Sequence, residues 1–86
     1  MRKDIQKLIS EVQILAIEVS MKTEHDVFTR YAGHTQGFEV GVCFNGFAVE
    51  PEEHQLMIVY MDRSNAEIKK QLRRTKRELK KLLEDR

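Results

Sequence analysis

One cysteine and one proline stand among 86 residues, with only four glycines. The lone thiol, Cys43, excludes an internal disulfide, so a reducing cytoplasm is the expected compartment and the fold must be held by packing. So few glycines and prolines leave little room for a linker, and neither a repeat nor a low-complexity stretch interrupts the chain. No run reaches the roughly 18 apolar residues of a membrane span. Met1-Arg2-Lys3-Asp4 leads straight into an amphipathic pattern with no signal-peptide core. A single soluble domain with no membrane partner is expected.

Catalytic groups are equally sparse. His25, His34 and His54 have no ligand spacing such as His-x-x-x-His, and Cys43 lies in an apolar strand, the usual setting of an inert thiol. Glu50, Glu52 and Glu53 surround Pro51 as a solvated acidic loop. Gly33, Gly37 and Gly41 do not form a phosphate-binding loop, because no Walker lysine follows them into a helix. These absences argue against an enzyme, a cofactor, a metal or a small-molecule substrate.

Long hydrophobic periodicities are what the chain does have. Ile5, Leu8, Ile9, Val12, Leu15, Ala16 and Val19 recur at helical spacing and predict a first helix over residues 3–21. Ile14, Ile17 and Met21 lie on its reverse side, so this helix is apolar on two faces. Either the C-terminal helix packs beside it or a partner subunit does. Residues 27–32 read as a first strand and 33–37 as its turn. Phe38, Val40, Val42 and Phe44 then alternate with smaller or polar residues as a second strand. Asn45-Gly46 is a type I′ hairpin signal, with a short return strand at 47–49 and a loop at 51–54. Residues 55–61 form a last strand that is apolar on both sides, a pattern of double burial. We place Leu56, Ile58 and Tyr60 on one side and Met57, Val59 and Met61 on the other.

Ser64 and Glu67 have capping-box spacing and start a C-terminal helix. Ile68, Leu72, Thr75, Leu79, Leu82 and Leu83 make its apolar stripe, and Lys/Arg residues cover the opposite side. Residues 65–86 hold nine basic and four acidic residues, a surplus of five positive charges. Residues 1–64 carry six basic and ten acidic ones. The helix should run about 33 Å against about 23 Å for a seven-residue strand. Residues 77–86 are therefore expected to overhang the sheet and to carry Leu79, Leu82 and Leu83 to a partner.

The expected fold is α+β, in the order α-β-β-β-α. A three- or four-stranded antiparallel sheet packs under two helices, with a core of Leu8, Val12, Leu15, Val19, Phe38, Val40, Val42, Phe44, Leu56, Ile58, Ile68 and Leu72. If both helices cover one sheet face, Met57, Val59 and Met61 lie exposed on the other, and with the overhanging leucines they form the expected partner interface. The basic stripe offers a second surface: Lys69, Arg73, Lys76, Arg77 and Lys80 could neutralise phosphates, although no aromatic lies among them to stack on bases.

Gly33-His34, the alternation Phe38, Val40, Val42 and the Asn45-Gly46 pair follow a helix and precede another. In this order the chain resembles the double-stranded-RNA-binding domain, which implies RNA contact through its helices and the loop before the second strand. It departs from that family at Ser64-Asn65-Ala66-Glu67-Ile68-Lys69, where the signature lysines are replaced and an acid intrudes. Residues 12–46 are also similar to short uncharacterised proteins of phages and prophages of Gram-positive bacteria. That similarity rests on Thr23-x-His25-Asp26-Val27-Phe28, Tyr31-x-Gly33-His34 and Asn45-Gly46-Phe47, and it implies an accessory, binding role in an infected or lysogenic cell. The resulting expectation is a non-enzymatic interaction protein, a homodimer or the partner of a host protein. A nucleic-acid-binding module is the alternative.

Overall fold

Two helices of equal length flank three strands along the chain: α1 (Lys3–Lys22), β1 (Asp26–Ala32), β2 (Gly37–Cys43), β3 (Glu53–Tyr60) and α2 (Asn65–Glu84). The computed structural model describes residues 2–44 and 52–84. The expected Asn45-Gly46 hairpin and the 47–49 strand lie outside the described residues. The strands form one antiparallel sheet in the order β1-β2-β3, and both helices lie on one of its faces. This is the expected α-β-β-β-α arrangement of the α+β class, with three strands.

Local chemistry explains where the elements stop. At the end of α1 the Thr23 hydroxyl donates to the Val19 carbonyl at 2.7 Å and accepts the His25 N–H at 3.0 Å, which turns the chain into β1. The Ser64 hydroxyl accepts the Glu67 N–H at 3.2 Å, so Ser64 is the N-cap of α2. Residues 33–36 turn β1 into β2, and Gln36 closes that turn with φ at 53°.

Each strand reverses direction, so α2 must return parallel to α1. Two ion pairs fix the register of the helices. Lys69 holds Asp4 and Lys76 holds Glu11, in both cases across 65 residues of chain and one turn pair further along each helix. Ile5, Val12 and Val19 from α1 then meet Ile68, Leu72 and Leu79 from α2 over Phe38, Val40, Met57 and Val59. Thr75 lies within this stripe; its hydroxyl donates to the Gln71 carbonyl at 3.0 Å, so the buried polar group is satisfied.

Three expectations are corrected by this packing. The faces of β3 are the reverse of those expected: Met57 and Val59 are 2% and 3% exposed, whereas Ile58 and Tyr60 face outward. An all-apolar strand does not reveal its inward side; pairing does. Val59 stands opposite Phe38 and Met57 opposite Val40, so they share the helix side with them, and a one-residue slip would invert every side chain. The register shifts at Val40/Gly41, where Leu56 is the extra residue of a bulge. Phe44, expected in the core, sits just past the end of β2 and is exposed between His25 and His54, at ring distances of 5.5 and 5.3 Å.

The overhang is the third correction. Leu79 is fully buried, and Leu82 and Leu83 are partly buried against the core. Comparison of helix length with strand length missed that α1 is as long as α2 and covers its last turns. Met61 likewise packs against the core. The six residues assigned to an interface, Met57, Val59, Met61, Leu79, Leu82 and Leu83, are thus engaged inside their own chain.

Candidate functional site

The exposed apolar surface lies elsewhere, on α1. Ile14, Ile17 and Met21 are 56%, 58% and 80% exposed, at i, i+3 and i+7 on one face. α2 does not cover them, because it docks on the flank that carries Asp4, Leu8 and Glu11. Of the two explanations for the two-faced helix, packing by α2 is excluded. The charged residues of α1 are Lys3, Asp4, Lys7, Glu11, Glu18 and Lys22; from Gln6 to Met21 the side that includes Gln6, Ser10, Gln13, Ile17 and Ser20 has none. Depletion of charge beside exposed apolar side chains distinguishes a protein interface from ordinary surface.

The uncharged side of α1 faces the outer edge of β1, which has no strand partner among the described residues. Gln13, Ala16, Ile17, Ser20 and Met21 line a depression beside Val27 and Thr29, and Gln6, Ile9, Ser10 and Gln13 line a second beside Tyr31. Ser20 anchors the helix to the strand by accepting the Val27 N–H at 2.9 Å.

The basic stripe of α2 divides in two. Lys69 and Lys76 point toward α1 and are occupied by Asp4 and Glu11. Hydrogen bonding from Lys69, opposed by partial desolvation and assisted by Arg2, lowers the Asp4 carboxyl to about 2. Lys76 lowers Glu11 in the same way. Arg73, Arg77 and Lys80 form no ion pair among the described residues and line a shallow groove with Leu8 and Lys76. Of the five expected phosphate contacts, three are therefore available and two are committed to the fold.

The open face of the sheet is less apolar than expected. Arg30 bridges Glu53 at 2.7 Å and Glu39 at 3.1 Å and lies over the Phe28 ring. Ile58 and Tyr60 are its outward apolar residues, and the Tyr60 ring covers Gly37, where an added Cβ would lie 3.0 Å from it. Cys43 is buried there, and desolvation, with Glu53 and Asp26 nearby, raises its thiol above the ordinary range, which disfavours the thiolate a nucleophile needs. Among the described residues no three His, Cys, Asp or Glu side chains gather as a metal site. No helix among them is long and apolar enough to cross a membrane.

The exposed apolar face of α1 was visible in the sequence as a second apolar face, but which side α2 would cover could not be read before its position was known. No protein-family model, curated protein or solved structure matches this chain.

Proposed function

We propose that this chain is a non-enzymatic interaction protein that pairs with a second copy through the outer face of α1, in the accessory role implied by its likeness to phage and prophage proteins. The observation that carries this reading is the exposure of Ile14, Ile17 and Met21 on one face of α1, beside its uncharged side. Packing α1 against its copy would complete the burial of six side chains that are each more than half exposed, three from each copy, a gross gain on the order of 6–12 kcal/mol. Association costs about 4–15 kcal/mol. The two are comparable, so the dimer is weak and concentration-dependent rather than obligate.

Sedimentation equilibrium across a concentration series tests it. The average mass should rise from one chain toward two, and Ile17→Lys should hold the protein at one chain without lowering its melting temperature, since Ile17 contributes little to the core. A wild-type chain that stays monomeric at the highest concentration refutes self-association.

A second reading is favoured by the three unpaired cations Arg73, Arg77 and Lys80, which would contact a nucleic-acid backbone. Replacing all three by Gln should weaken duplex binding and reduce its salt slope by roughly two to three. Absence of wild-type binding at about 50 mM salt eliminates it.

A further inference from the structure

Beyond self-association, the edge of β1 presents a separate recognition surface. Among the described residues its one strand neighbour is β2, and its other edge has no strand partner there. Backbone N–H and C=O groups alternate in direction along a strand. The Val27 N–H points away from β2, because it donates to Ser20. Pairing between β1 and β2 is unbroken from Asp26 to Ala32, so Thr29 and Tyr31 also direct their N–H and C=O groups away from β2. Neither has a hydrogen-bond partner on that side among the described residues. Beside these groups stands the uncharged wall of Gln6, Ile9, Ser10 and Gln13.

We propose that this groove accepts an extended, uncharged segment of another protein as a fourth strand. Its main chain would pair with Thr29 and Tyr31, and alternate side chains would lie against Ile9 and Gln13. Both parts of the chemistry point to that occupant. A line of unpaired backbone groups on a sheet edge is complementary to another extended backbone. A wall with no charge would desolvate a carboxylate or an ammonium without pairing it. The β1 strand of a second copy fits poorly in either two-fold register. Centred on Thr29, it would bring the copy's Tyr31 opposite Val27, where Ser20 already occupies the N–H; centred on Arg30, it would set two like-charged Arg30 side chains directly opposite one another. The groove therefore belongs to a different chain, and the Tyr31 end remains open when Ile14, Ile17 and Met21 are covered.

A random-peptide display library selected on the full-length protein, followed by amide hydrogen exchange with the selected peptide, tests the proposal. The selected peptides should share an uncharged stretch with apolar residues at alternate positions. Exchange at Thr29 and Tyr31 should slow roughly tenfold or more, while Phe28 and Arg30, already directed to β2, should change little. Gln13→Glu should weaken binding roughly tenfold, since it places a charge in the dry wall. No enrichment, a charged or helix-period consensus, or protection confined to other elements would overturn it. Because Ile17→Lys abolishes self-association without touching the Tyr31 end, peptide binding by that variant separates this proposal from the dimer.

Discussion

At the scale of single residues, the clearest departure from local preference is Gln36. Its φ of 53° is in the left-handed region, where a Cβ crowds the following carbonyl. The tight turn from Ala32 to Gly37 imposes this conformation, and the Met61 N–H donates to the Gln36 carbonyl at 2.9 Å, which holds it in place. Gln36→Gly should therefore raise stability by about 0.5–1 kcal/mol, measured as a higher urea midpoint with an unchanged slope. The strain was not legible in the sequence, where Gly33 and Gly37 draw the eye as the turn residues. Gly41 has a different role: an added Cβ would lie 2.6 Å from Glu53 Oε1, so its small size leaves room for the carboxylate that pairs with Arg30.

At the scale of elements, α2 is a structural helix along its whole length. Leu79 belongs to the same buried cluster as Ile68 and Leu72, so Leu79→Ala should cost about 2–5 kcal/mol, as for a cavity in any packed core. A solvent-exposed overhang would lose almost nothing, and chemical denaturation distinguishes the two. The seam with α1 adds a pH dependence. Asp4 is lowered from 3.8 to about 2 and Glu11 is lowered from 4.5, so both carboxylates titrate lower in the folded chain than in the unfolded one. Their contribution is complete above the unfolded values and is lost as pH falls from about 4.5 through about 2. Urea midpoints over that range should decline more steeply for the wild type than for the Asp4→Asn, Glu11→Gln double variant. Both pairs are at the surface, so the difference should be modest and should shrink in high salt.

At the scale of the whole molecule, two layers share the apolar surface unequally. The helix side of the sheet is sealed by α1 and α2, the opposite face is occupied by the Arg30 network, and the outer face of α1 stays exposed. Both proposed partner surfaces therefore gather around a single helix: its outward stripe for a second copy and its β1 flank for an added strand. If so, surface-charge substitutions on α2, such as Lys70→Gln, should leave both associations unchanged, while Ile17→Lys removes only the first.

Periodicity by itself determined the element order, both helices with their inward stripes, the inward face of β2 and the Ser64 cap, because each depends on neighbours within a few residues along the chain. Val12, Val19, Phe38, Val40, Val42, Ile68 and Leu72 are buried as their spacing predicts. Only tertiary structure decided which apolar face is covered when a segment has two. β3 took its inward side from pairing with Phe38 and Val40, and α1 took its docking flank from Asp4 and Glu11 reaching Lys69 and Lys76. Leu79 was enclosed because a second helix of equal length lies beside it. Such choices depend on residues far apart in sequence, and an apolar side chain favours burial against any of them equally.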